Sequence, residues 1–178
     1  MKKSILLLAV VFSFGSMNAQ MFQFGLKAGA NFSNLEGNDI SGSTYTSFHF
    51  GAVVELKLLE NLSLQPELLY SSQGTKIDEA GFKDINYNYF TVPVLAKFYL
   101  ISKKLSLEVG PQFSFLVNES VSDQFEGETF DFALAGGLGY NITEHFFVQG
   151  RYVLGLTEAN KDAEVTNRVI QFSVGYKF

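Results

Sequence analysis

Eight ionisable side chains share one phase of an alternating pattern: Lys27, Glu55, Lys57, Glu67, Lys97, Glu108, Arg151 and Lys177. Charges of both signs on one face could line an ion path or gate. They could equally pair with one another and fill an interior. A charge taken out of water is costly unless it is paired and hydrogen-bonded, so a structural salt-bridge plug is the favoured reading. The two histidines, His49 and His145, fall at opposite ends of the elements described below, which excludes a two-histidine metal site and a shared catalytic centre. His49 could join a serine and an acid in a hydrolase or acyltransferase constellation, but no spacing supports this, and a hydrogen-bonding residue at a rim accounts for it. Gly136-Gly137-Leu138-Gly139 lacks the following helix and lysine of a phosphate loop; its small residues fit relief of crowding better. With no cysteine in the chain, thiol nucleophiles, cysteine-ligated zinc and disulfides are excluded. No cofactor is expected, no metal site and no enzymatic activity.

The elements that must position these charges have a period of two. From Phe22 the even positions read Phe22, Phe24, Leu26, Ala28, Ala30 and Phe32, against Gln23, Gly25, Lys27, Gly29, Asn31 and Ser33. Such alternation predicts a strand with one apolar and one polar face. It returns over 48–58, 62–73, 87–99, 105–117, 130–142, 146–156 and 167–178, giving about eight strands. Each reaches the roughly 9–11 residues that a tilted transmembrane strand requires. Short connections around Glu60-Asn61, Ser102-Lys103-Lys104 and Thr143-Glu144 alternate with long polar ones over 34–46, 74–86, 118–129 and 157–166. Tight turns on one side and long loops on the other characterise up-and-down outer-membrane barrels.

Volume orients the faces. The apolar phase carries fourteen phenylalanines, among them Phe24, Phe48, Phe50, Phe113, Phe130 and Phe172. An eight-stranded barrel has an interior just wide enough for side chains, so this many rings would overpack it. The apolar face therefore points outward, to lipid, and the Gly-, Ser- and Gln-rich face points inward. Rings gather near both strand ends: Phe48, Phe50, Tyr70, Phe113, Phe115, Phe130 and Phe132 toward the long loops, and Phe22, Phe24, Phe98, Tyr140, Tyr176 and Phe178 toward the short turns. Two aromatic belts are expected at the headgroup levels. The fold class is all-β, an eight-stranded antiparallel up-and-down transmembrane β-barrel occupying residues 20–178.

Residues 1–19 read as a secretory signal peptide: Lys2-Lys3, an apolar run from Ile5 to Phe14 too short to span a bilayer, then Ala19, after which cleavage is expected. Its removal takes the net charge from -5 to about −7. No basic surplus exists to replace the counterions of a nucleic acid, so none is expected as a partner. The long connections hold most of the acidic residues, including Asp39, Asp78, Glu79, Asp123 and Glu126. They suit divalent cations beside lipopolysaccharide, or plain solvation.

Several segments resemble one family. Leu64-Gln65-Pro66-Glu67-Leu68-Leu69-Tyr70-Ser71, Val92-Pro93-Val94-Leu95-Ala96-Lys97-Phe98-Tyr99, Val109-Gly110-Pro111-Gln112 and the ending Gln171-Phe172-Ser173-Val174-Gly175-Tyr176-Lys177-Phe178 are similar to the strands of PorT-type outer-membrane β-barrel proteins of Bacteroidetes. Arg151-Tyr152 followed by Gly155-Leu156-Thr157 matches as well. The resemblance implies an outer-membrane location and no single activity; PorT itself is linked to protein secretion. With the tight turns facing the periplasm, both termini are expected on that side. Expected partners are outer-membrane lipid and lipopolysaccharide, barrel-assembly machinery during biogenesis, and a secretion or envelope complex. Tyr176 and Phe178 resemble the terminal signal which that machinery reads. The function expected is structural or accessory, with a narrow solute or ion pore as the alternative. Pro66, Pro93 and Pro111 all fall inside strands of a sheet without free edges, so bulges or missing ladder bonds must accommodate them.

Overall fold

The computed structural model describes residues 21–37, 40–41, 45–75, 85–101, 103–119, 130–156 and 166–178. The leader, its cleavage point at Ala19 and the centres of the long loops lie outside these residues. Nine strands follow in order: β1 (Phe22–Gly37), β2 (Ile40–Ser41), β3 (Tyr45–Lys57), β4 (Leu62–Thr75), β5 (Ile85–Ile101), β6 (Leu105–Glu119), β7 (Phe130–Asn141), β8 (Phe146–Gly155) and β9 (Thr166–Lys177). The two-residue β2 only extends the hairpin above β1. The other eight pair antiparallel with their neighbours, and β9 returns to β1, which closes the sheet.

The closure is staggered. Partners taken straight across the strands run Phe22, Leu56, Leu64, Ala96, Val109, Gly136, Tyr152 and Ile170, and arrive back on β1 at Phe32, ten residues above the start. With ordinary strand spacing and rise, eight strands and this stagger give a tilt of about 40° and a backbone tube roughly 16 Å across. That width leaves room for one side chain from each wall and no more.

The alternation sorts as the volume argument requires. Lipid-side residues such as Phe24, Leu26, Phe48, Leu68, Phe172 and Val174 each leave more than half of their surface uncovered, whereas Lys27, Asn31, Glu55, Gln65, Glu108 and Gln171 are buried inside. The strands also overrun the predicted segments on the long-loop side, β1 reaching Gly37 and β4 Thr75. Beyond the bilayer both faces of a hairpin meet water, so pairing continues there without the apolar alternation that signals it.

The three prolines interrupt the ladder without shifting its register. Between β3 and β4, Val53 opposite Glu67 is followed by Leu56 opposite Leu64, and the pairs at Pro66 are missing. The same two-pair gap occurs at Pro93 between β4 and β5, and at Pro111 between β5 and β6. Each proline keeps its ladder with the following strand, so the absent N–H lies on the side of the preceding one. Missing bonds, then, rather than bulges accommodate the prolines. The register shifts of the β5–β6 pair fall elsewhere, at Asn88/Tyr89 and Tyr99/Ile101.

Candidate functional site

Inside the half of the barrel next to the short turns, seven of the eight inward charges form one buried network. Glu67 of β4 accepts from Arg151 of β8 through both carboxylate oxygens, at 2.8 and 2.9 Å, and from Lys27 of β1 at 2.8 Å. Glu55 of β3 is held by Lys177 of β9 at 2.6 Å and lies 3.7 Å from Lys97. Glu108 of β6 meets Lys97 at 3.3 Å and Arg151 at 3.7 Å. Amides knit these pairs together. Lys27 donates to Gln149 Oε1 while Gln149 Nε2 donates to both Glu108 oxygens; Lys97 donates to Gln65 Oε1 while Gln65 Nε2 donates to Glu67. The Tyr99 hydroxyl donates to Glu55. Charges so enclosed attract one another far more strongly than they would in water, which offsets the cost of drying them only because their remaining donors and acceptors are also met.

Lys57 stands apart. It belongs to the inward face but sits opposite Ser63 at the last pair of the β3–β4 ladder, half-buried at the mouth. Glu67 pairs opposite Val53, four residues farther in, roughly 14 Å along the strand. Among the described residues Lys57 makes no ion pair, and the partners of Glu67 are Lys27 and Arg151.

Large inward side chains face glycines across the strands. Phe147, buried beneath Lys97 and Lys177 at 5.7 and 5.3 Å from its ring centre, pairs opposite Gly175, where an added Cβ would collide with the ring, 2.1 Å from its Cζ. Gly137 lies between Glu108 and Arg151 in register, so the glycine run at 136–139 makes room for the network.

Above the network, His49 is buried rather than at a rim. Its Nδ1 lies 2.7 Å from Asn31 Oδ1 and its Nε2 2.8 Å from Ser173 Oγ. Asn31 Nδ2 donates to the Ser72 carbonyl and to Ser71 Oγ, which fixes the amide's orientation. Its oxygen can therefore only accept, so Nδ1 carries the proton and Nε2 accepts from the serine hydroxyl. The order Ser–His–Asn is chemically that of a nucleophilic relay. Ser173, however, retains 5% of its surface and sits among packed lumen side chains, where a carbonyl substrate has no approach. His145, at the other end, stacks on Tyr176 and bonds the Lys177 carbonyl. The described residues contain no group of three His, Asp or Glu side chains arranged for a metal.

Residues 16–160 match the family described as outer membrane protein beta-barrel domain. The chain belongs to this family. No curated protein sequence is significantly similar to it. Among solved structures the barrel is similar to Ail, the attachment invasion locus protein of Yersinia pestis, at 15% identity and a TM-score of 0.61, covering 89% of this chain and 99% of that one. It is also similar to neisserial surface protein A (15%, 0.59, 87% and 97%) and to OprG of Pseudomonas aeruginosa (12%, 0.53, 89% and 94%). At these identities the likeness is one of fold.

The protein is thus a small outer-membrane β-barrel, and its outer surface is built accordingly. Toward the long loops Phe48, Phe50, Tyr70 and Phe90 form one continuous ring patch, and Phe113, Phe115, Phe130 and Phe132 another. Toward the short turns Phe146, Tyr176 and Phe178 pack edge to face. Sequence reading missed the neutral partners Gln65, Gln149, Tyr99, Phe147, Asn31 and Ser173. Their inward phase was visible; their mutual contacts follow from the closing register, which no single segment encodes.

Proposed function

We propose that this barrel is a structural or accessory protein of the outer membrane, closed to solutes, which displays its long loops to a partner such as a secretion or assembly complex. The reading is carried by the lumen: four cations and three carboxylates, each buried and held by several partners, occupy the space a pore would need. Burial of the Ser173 hydroxyl supports a non-enzymatic role. The likeness of 64–71 and 92–99 to PorT-type proteins favours a secretion-linked partner. Export by a leader ending at Ala19 and short turns facing the periplasm, with both termini on that side, complete the proposal. The lipid-facing Tyr176 and Phe178 would serve as the signal read by barrel-assembly machinery.

Conductance across a planar bilayer tests the closed lumen. The folded protein should add no steady current, and substitution of Arg151 by alanine should open one if the plug is what blocks passage. Steady conductance of the unsubstituted barrel would favour the pore instead. Affinity purification from native outer membranes should then recover a stoichiometric protein partner.

A further inference from the structure

The short-turn mouth of the barrel holds a bowl of about 550 Å³, floored by Ser63, Tyr99 and Lys177 and walled by Lys57, Lys103 and Lys104. The sequence as a whole is acidic, at -5, yet this bowl gathers four lysines against two carboxylates, Glu60 and Glu144. Lys177 is committed to Glu55 at its floor. Lys57, Lys103 and Lys104 make no ion pair among the described residues. At the base Ser63, 1% exposed, borders the cavity, and its hydroxyl has no hydrogen-bond partner among the described residues. A buried hydroxyl left unpaired beside a cationic bowl is a donor that an acceptor in the bowl would satisfy.

The walls are held in place. Lys103 adopts a φ of 61°, a left-handed conformation that turns usually assign to glycine or asparagine. Asn141, the last residue of β7, pins that conformation by donating its side-chain amide to the Lys103 carbonyl at 2.7 Å and its backbone N–H to the Lys104 carbonyl at 2.8 Å. The same Asn141 accepts from Lys177 at 3.3 Å. Two turns and the last strand are thereby locked around one opening, with Leu59 and Ile142 adding apolar wall.

We propose that this mouth is a binding site for a small ligand bearing two or more oxyanion groups, carboxylate or phosphate. Lys57, Lys103 and Lys104 supply charge, Ser63 and Tyr99 mark the floor, and the apolar wall takes the ligand's body. The volume lies within the range of small-molecule sites. The site depends on the periplasmic orientation proposed above only for which compartment supplies the ligand. Its test on purified protein is independent of that orientation.

The test is calorimetric titration of the refolded barrel in a non-ionic detergent at low salt, with tricarballylate for the carboxylate class and pyrophosphate for the phosphate class. One-to-one saturable binding of at least one is expected, and the tighter of the two names the source. Lys57→Ala and Lys104→Ala should each weaken it about threefold, and Glu144→Gln should tighten it about twofold, as for partly exposed charges. Ser63→Ala alters no charge, so a loss of about threefold there marks a built site rather than a diffuse field. Lys103→Gly removes a wall charge while suiting the left-handed backbone, so loss of binding in this variant is not loss of fold. Heat-dependent gel mobility confirms the fold of each variant. Failure of both probes to saturate, or binding indifferent to the lysine and Ser63 substitutions, overturns the proposal.

Discussion

Glu67 illustrates what a single lumen residue must do. It is buried, receives two bonds from Arg151 and one from Lys27, and accepts Gln65 as well. Truncating it leaves Lys27 without an ion pair among the described residues and Arg151 with only Glu108, 3.7 Å away, in a dry interior. Breaking a buried pair in this way costs about 3–5 kcal/mol, more than the hydrophobic gain of a leucine in its place. Glu67→Leu should therefore lower the unfolding free energy of the refolded barrel, measured by urea titration, by that amount, and Glu67→Gln should cost less because it keeps hydrogen-bond acceptance. The loss should fall mainly on Lys27 and Arg151. A double-mutant cycle with Lys57→Ala should show no coupling, since Lys57 lies at the mouth. Equal stability of Glu67→Leu and the parent protein would mean that the network is dispensable.

At the scale of the strands, the proline gaps form a pattern. Pro66 pairs with Val94, and Val94 stands across from Pro111, while Pro93 is its chain neighbour. The missing bonds on three successive seams thus lie side by side in the wall, where lipid offers no replacement partner. Gly110 eases the outermost gap, because any Cβ there would collide with the Val94 carbonyl oxygen. Pro111→Ala would return an N–H to the β5 side. The expected result is slower amide exchange around Val94 and Leu95, with overall stability changed by less than about 1 kcal/mol, since proline's smaller unfolded-state entropy opposes the regained bond. Exchange measured on the folded barrel checks this, and unchanged rates at 94–95 would place the gap's cause elsewhere. These strands were largely legible in the sequence. Period-two runs marked all eight long strands and the side each residue faces, because lipid punishes every polar residue on the outer face. What the runs could not carry is the ten-residue stagger on closure. Gly29 pairs with His49 on one side and Ser173 on the other, and its missing side chain lets those two meet. Residues 49 and 173 become neighbours only when β9 meets β1.

For the whole molecule, closure of β9 on β1 is the step that removes the last free edges, and Phe178 sits where that seam ends. Its N–H donates to the Phe24 carbonyl at 2.8 Å, one bond beyond the last residue of β9. Phe178 is 71% exposed, and its ring packs edge to face on Tyr176 at 5.5 Å and continues the lipid-facing phase of Ile170, Phe172 and Val174. Two roles are proposed for this residue. As a belt ring it adds interfacial burial to the finished barrel, and as the proposed assembly signal, an aromatic on a still unpaired strand, it suits capture by strand addition before the barrel exists. Phe178→Ala separates them, because the backbone bond to Phe24 survives and only the ring is lost. In cells the substitution should reduce the assembled, heat-modifiable form severalfold and raise degraded or periplasmic precursor. In detergent, where no assembly machinery acts, refolding yield should hardly change and the unfolding free energy from urea titration should fall by no more than about 1 kcal/mol, the contribution of one exposed ring pair. A parallel loss in both settings would assign the ring to stability alone, whereas loss confined to cells would show that the last residue acts before the seam closes.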